Sequence, residues 1–222
     1  MSALFITATG TGVGKTWVTE RMIAECRAGH RPVDALKPVI SGFDPADAGG
    51  SDSGRLLTAL GRPIDARTLD AISPWRFAAP LSPDMAAARE GRTIDFEALI
   101  GFCRGAIETA EGLLLIEGVG GAMVPLDPRH TVRDWIAALG IPAVVVAGSY
   151  LGTISHSRTT LDSLAAGGIE ASALVLSESE ESPVPIAETA ATLARFTAVP
   201  ILPVRRDEHV DGGAPLITGL FP

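Results

Sequence analysis

Two cysteines, four histidines and an aromatic content of 5% leave this 222-residue chain without the raw material of several chemistries. Cys26 and Cys103 fall in different predicted helices, far apart and without metal-like spacing, so they read as core thiols. His30, His130, His156 and His209 are scattered, and no Ser/His/Asp pattern or His/Cys cluster unites them. Basic charge is short as well. Eighteen Lys and Arg against 26 Asp and Glu give a formal net charge of −8, which argues against a nucleic-acid surface. No apolar run is long enough to span a bilayer, and Leu4-Phe5-Ile6 is too short for a secretory signal. A cytoplasmic protein with no membrane partner is the expectation.

What the chain does contain is aliphatic residues, in a length suited to one full α/β domain, expected to cover residues 1–222. Five apolar runs read as buried strands: Leu4–Thr7, Val33–Leu36, Leu113–Ile116, Ala143–Ala147 and Ala173–Leu176. Ile201-Leu202 is a weaker sixth. Between them lie helical stretches near Trp17–Ala28, Asp52–Leu60, Phe96–Ala110, Val132–Leu139, Ile154–Ala166 and Pro185–Phe196. Continuous apolar strands alternating with helices predict a mostly parallel sheet with helices on both faces, of the P-loop NTPase-like kind. Ligands then gather at the carboxyl ends of the strands. Arg62 to Arg92, with four prolines, is too long for a plain turn and reads as a functional or covering segment. The polar, acidic stretch Ser177 to Pro185 reads as a loop, and the tail from Asp211 carries little signal.

Directly behind the first strand comes Ala8-Thr9-Gly10-Thr11-Gly12-Val13-Gly14-Lys15-Thr16, and a helix follows. Strand, glycine-rich turn, Lys-Thr and helix is the layout of a phosphate-binding loop. Glycines let consecutive N–H groups curl around a phosphate, and the helix N-terminus adds further unpaired donors. Lys15 would reach the terminal phosphates, and the Thr16 hydroxyl would bind Mg²⁺. The strict pattern wants Gly where Thr9 stands.

Three further segments sit just past predicted strands, on the same edge. Lys37 opens Lys37-Pro38-Val39-Ile40-Ser41-Gly42. It reads either as a solvated strand-end lysine or as a charge that stabilises a transition state beside the phosphates. Glu117-Gly118-Val119-Gly120-Gly121 ends a Leu-Leu-Leu-Ile run, so Glu117 is a surface acid or a carboxylate delivered to the metal. Asp52 is a helix N-cap or a second metal carboxylate. Thr16, Asp52 and Glu117 together would offer Mg²⁺ three oxygens.

The chain resembles the dethiobiotin synthetase family. The resemblance rests on the loop together with Lys37-Pro38-Val39, Ser41-Gly42, Ser51-Asp52, Ser73-Pro74-Trp75-Arg76-Phe77-Ala78, Pro80, Ser82-Pro83 and Glu90-Gly91-Arg92. It continues through Glu117-Gly118, Gly120-Gly121, Pro125-Leu126, Asp134-Trp135 and Leu151-Gly152-Thr153-Ile154-Ser155-His156. It implies a ligase of biotin biosynthesis that joins CO₂ to 7,8-diaminononanoate and closes a cyclic urea, with ATP as co-substrate and Mg²⁺. A carbamate and a carbamic–phosphoric anhydride would be the intermediates. The resemblance further implies catalytic roles for Lys37, Lys15, Thr11 and Ser41. It assigns nucleotide contacts to Gly12, Val13, Gly14, Lys15, Thr16, Asp52, Glu117, Gly118, Val119, Gly120 and the position of Ser177. Ser41 would also touch the substrate. In a homodimer, Gly152, Thr153, Ile154 and Ser155 of one subunit would hold the distal carboxylate of the substrate bound to the other.

Departures are equally specific. Gly10 and Gly12 stand where the family carries acids. Ser177 replaces an Asn that reads adenine, and Pro203-Val204-Arg205-Arg206 replaces a segment that packs on the base. One hydroxyl reads a base edge less completely than an amide, so weak discrimination between nucleoside triphosphates is expected. The competing reading is a partitioning or positioning ATPase of the deviant P-loop class. Such proteins carry a signature lysine at the position of Gly10, and its absence argues against them. Amidotransferases acting on corrinoid precursors usually carry an added glutaminase domain, for which this chain has no room.

Overall fold

The computed structural model describes residues 2–205 and 216–217. Six strands form one all-parallel sheet: β1 (Ser2–Ala8), β2 (Val33–Leu36), β5 (Leu113–Glu117), β6 (Ala143–Gly148), β7 (Ala171–Ser177) and β8 (Ile201–Val204), in the order β2-β5-β1-β6-β7-β8. Their sequences explain the order. Every residue of β6 is buried, and Val144, Val145 and Val146 bring the β-branched shape that a pleated interior favours. β1 sits between β5 and β6, with Phe5 opposite Ile116 on one side and Ala143 on the other. Pro203 is tolerated because β8 forms the sheet's edge among the described strands.

Connections run through α1 (Lys15–Ala28), α5 (Phe96–Thr109), α6 (Val132–Leu139), α7 (Thr153–Ala166) and α8 (Ile186–Leu193). The chain moves one way from β1 to β2 and the other way from β2 through β5 to β8. Right-handed crossovers therefore place α1 on one face and α5 to α8 on the other. Trp135 of α6 meets Phe5 of β1 edge-on, ring centroids 4.8 Å apart, and ties that helix layer to the sheet's centre.

The connection from Arg62 to Arg92 holds more structure than its prolines suggest. It contains α3 (Ala66–Ile72), β4 (Trp75–Phe77) and α4 (Pro83–Arg89). β4 pairs in parallel with β3 (Val39–Ser41), making a small second sheet against α4, while α2 (Asp52–Leu60) packs on α1 and β2. Pro83 is no interruption: it occupies the first turn of α4, where its missing N–H costs nothing. Of the tail, Leu216 and Ile217 are buried and donate backbone N–H bonds to the Glu25 carboxylate of α1, at 3.1 and 2.9 Å. Asp211, Gly212, Gly213, Gly219 and Arg206 lie outside the described residues.

Candidate active site

The reversal of direction around β1 leaves a crevice at the carboxyl edge of the sheet, and the glycine-rich loop fills its base. Thr9 donates its N–H to the Val146 carbonyl, fixing the loop's start to β6. Gly12 and Gly14 have φ of +74° and +96°, a region that side chains avoid. Gly14 also caps α1 without any side chain, and the first helical bond runs from the Val18 N–H to the Gly14 carbonyl. The N–H groups of Lys15, Thr16 and Trp17 therefore have no acceptor within the helix. Gly10 differs: a side chain there would meet nothing within 4 Å.

Charged and hydroxyl side chains converge above this turn from four elements. Glu117, at the end of β5, is fully buried. Its Oε1 accepts from the Thr16 hydroxyl at 2.8 Å and from Lys37 Nζ at 2.7 Å, and its Oε2 accepts from the Thr19 hydroxyl at 2.8 Å. Lys37, just past β2 and 1% exposed, also donates to the Gly118 carbonyl at 2.8 Å and pairs with Asp52 Oδ2 at 3.0 Å. Burial alone would lower the Lys37 pKa, but the charges and hydrogen bonds of Glu117 and Asp52 outweigh it and hold the ammonium above its ordinary range. Asp52 shows the converse. Burial pushes its carboxyl up, yet Lys37, the Thr16 hydroxyl and Lys15 keep it below the usual carboxylate range. Lys15 folds back onto the carbonyls of Gly120, at 2.8 Å, and Gly10, at 3.2 Å. Burial, followed by the like charge of Lys37, brings its pKa down to about 8 against the pull of Glu117 and Asp52.

Thr16 has one hydroxyl proton but faces two carboxylate oxygens, Glu117 Oε1 and Asp52 Oδ1, the latter at 2.9 Å. Two acids and a hydroxyl on one side of the phosphate loop form a hard-oxygen donor set that fits Mg²⁺. Asp52 is free for this because the N-cap of α2 is Ser51, whose hydroxyl accepts from the Gly54 N–H at 3.1 Å.

The cavity beside the loop measures about 650 Å³. Thr11, Gly12, Gly14, Lys15, Thr16, Lys37, Ser41, Asp52, Val119 and Gly120 all line it. Ser41 brings a buried hydroxyl without a hydrogen-bond partner. Gly118 does not line it; a side chain at that position would strike the Phe5 ring at 2.8 Å. Val13 and Ser177 line a neighbouring cavity of about 560 Å³, together with Gly12, Gly14, Glu178 and Ser179. Gly152, Thr153, Ile154 and Ser155 lie apart from both cavities, where β6 passes into α7.

Sequence reasoning missed Thr19, which shares a helix face with Lys15 four residues earlier and holds the second Glu117 oxygen. It missed Ser51, although a Ser before a helix is a capping signal. It also missed Trp17 and Arg55, which line both cavities and belong to no motif.

Residues 2–204 match the family model described as an AAA domain. Among curated proteins, the ATP-dependent dethiobiotin synthetase BioD of Acidiphilium cryptum (strain JF-5) is 52% identical over 212 residues, 95% of each chain. That of Methylobacterium nodulans (strain LMG 21967 / CNCM I-2342 / ORS 2060) is 45% identical over 93% of this chain and 94% of its own. Among solved structures, the ParA family ATPase of Chlorobium tepidum TLS is similar, with a TM-score of 0.57 and 14% identity. The match covers 93% of this chain and 85% of that one, and it shows a shared fold alone.

Proposed function

The chain belongs to the ATP-dependent dethiobiotin synthetase family, and from that premise we propose how its cleft works. It is a ligase that joins CO₂ to 7,8-diaminononanoate and closes the cyclic urea of dethiobiotin, with ATP as co-substrate and Mg²⁺ as cofactor. One amine of the substrate adds to CO₂ and loses a proton, forming a carbamate. A carbamate oxygen then attacks the γ-phosphorus of ATP, and ADP leaves. The second amine attacks the carbonyl carbon of the resulting anhydride, expelling inorganic phosphate and closing the ring.

The observation that carries this reading is the placement of Lys37. It is a buried ammonium pinned between Glu117 and Asp52, lining the same cavity as Lys15. Carbamate and triphosphate are both anions. Two cations let them approach, and the charge of Lys37, fixed by its two carboxylates, needs no reorganisation as charge moves in the transition state. Lys15 leaves its two carbonyls to meet the terminal phosphates. Thr11 and Ser41 hydrogen-bond the transferred phosphate or the carbamate, Ser41 through its unpartnered hydroxyl. Thr16, Asp52 and Glu117 would hold Mg²⁺, which would supply charge neutralisation on the phosphates. The backbone from Gly12 to Gly14 and around Val119 and Gly120 lies along the nucleotide, while Gly118, set back from the cavity, gives its carbonyl to Lys37. Ile40, Pro80, Leu81 and Val124 line the same cavity and suit the substrate's alkyl chain.

We assign the whole chain, residues 1–222, to one P-loop α/β domain acting in the cytoplasm as a homodimer. Gly152 to Ser155, at the start of α7, would receive the carboxylate of the substrate bound to the other subunit. The positive φ of Gly152, +101°, and the open helix start behind it suit an anion. Leu151, 86% exposed, and Met123, 51% exposed, are large apolar side chains that a second subunit would cover. Sedimentation equilibrium tests this; a monomer at micromolar concentration rejects it. The reaction is tested by mixing protein, ATP, Mg²⁺, bicarbonate and the diamine. Dethiobiotin with one phosphate released per ring is expected, and no cyclic urea on any nucleotide rejects the reading.

A further inference from the structure

Trp17 and Arg55 line both the cavity that holds Lys15, Thr16 and Lys37 and the neighbouring cavity that holds Ser177. With Gly12 and Gly14 of the loop, they form the lining that the two spaces share. Trp17 is the residue after Thr16, in the first turn of α1. Its own N–H lacks a helical acceptor at the phosphate end, and the residue also lines the second space. One flank of that ring is backed by Arg21, whose guanidinium carbon lies 5.7 Å from the ring centre. Arg55 is held in place from α1 by both oxygens of Glu20, at 2.9 and 2.5 Å. Beyond Trp17 the lining of the second cavity is polar. Ser177 packs so closely over the loop that a side chain on Gly14 would meet its hydroxyl at 2.9 Å. Glu178, Ser179 and Glu180 complete that end.

A nucleoside triphosphate with its phosphates on the loop must extend its ribose and base past this shared wall. We propose that Trp17, with Arg55 beside it, is the platform on which the nucleoside rests, and that this platform supplies most of the nucleoside's binding. The inference rests on the reading of the loop as the triphosphate site. An aromatic face attracts every base, because every base has a π-face, whereas the Ser177 hydroxyl offers only one directional contact. The grip on the nucleoside is therefore largely independent of base identity.

The test is calorimetric titration of the full-length protein and of Trp17→Ala and Trp17→Phe with Mg²⁺ and ATP, CTP or inorganic tripolyphosphate. Trp17→Ala should weaken ATP and CTP together, by a factor between about 5 and about 100, the range that loss of one base–aromatic stack gives. Tripolyphosphate affinity should stay within about twofold, since it has no base to stack. Trp17→Phe should recover most of the nucleotide affinity. Equal losses for tripolyphosphate and ATP would mean that Trp17 only shapes the loop, and unchanged ATP affinity would mean that the nucleoside lies elsewhere; either overturns the inference. Dethiobiotin formation by the unsubstituted protein separates the two readings. Normal ring closure with unchanged ATP affinity in Trp17→Ala rejects the platform alone. Absence of product rejects the assigned reaction, whatever Trp17 does.

Discussion

Lys37 carries its charge where water does not reach, and two carboxylates hold it there. Removing the ammonium leaves Glu117 buried with one cation fewer, a change that costs about 3 kcal/mol when one partner of a buried pair is lost. Lys37→Ala should therefore melt about 10 °C lower in a differential scan. Ring closure should fall by more than about a hundredfold, as expected when a fixed charge at the reacting centre is removed. ATP binding should largely persist, because the loop backbone and Lys15 remain. Near-normal turnover by that variant would remove Lys37 from the mechanism. At the other end of the nucleotide, Ser177 bears on selectivity. The kcat/KM values for ATP, GTP and CTP should lie within about a thousandfold, some 4 kcal/mol. A larger preference for ATP would mean that a group other than Ser177 reads the base.

Among the elements, α2 decides whether Asp52 reaches Thr16. It starts at a Ser51 cap and packs so tightly on the turn before it that a side chain on Gly54 would sit 2.0 Å from the Ala48 carbonyl oxygen. Gly54→Ala must shift the helix. We expect it to lose at least about 2 kcal/mol in denaturant unfolding, as overpacked sites do, and to need more Mg²⁺ for half-maximal activity. An unchanged Mg²⁺ requirement would dissociate α2 from the metal. The long strands were legible in the sequence because burial on both faces writes a continuous apolar run, as in Ala143-Val144-Val145-Val146. β3 and β4 were not. Each has three residues, too few for a periodic signal, and they exist as strands because they pair with one another. Likewise the loop showed Lys15 and Thr16 through spacing along the chain. The closure of Glu117, Asp52 and Lys37 around Thr16 depends on β2, β5 and α2 meeting at one edge, which spacing does not encode. Asp52 illustrates the limit: its two readings are even in the sequence, and in the structure the capping role falls to the hydroxyl of its neighbour Ser51.

At the scale of the whole molecule, both thiols are kept inside. Cys26 is 1% exposed and Cys103 is fully buried. Burial raises both thiols, Cys103 to about 12 against an opposing contact from Trp135, so neither is a thiolate near neutrality. A thiol reagent at pH 8 should label neither until the protein unfolds, and both thereafter; rapid labelling of the native protein would contradict the packing of α1 and α5. The fold itself is shared with ATPases of other function at 14% identity, so the sheet does not determine the chemistry. In this chain a cavity next to the phosphate loop joins two lysines, an unpartnered serine and an apolar wall. The central claim is that this cavity transfers phosphate from ATP to a carbamate oxygen. Its most direct test is a single turnover with CO₂ carrying heavy oxygen, quenched before exchange with water, followed by mass analysis of the phosphate. One labelled oxygen in each phosphate released, together with dethiobiotin, is the predicted result. Unlabelled phosphate, released equally well without the diamine, would contradict it.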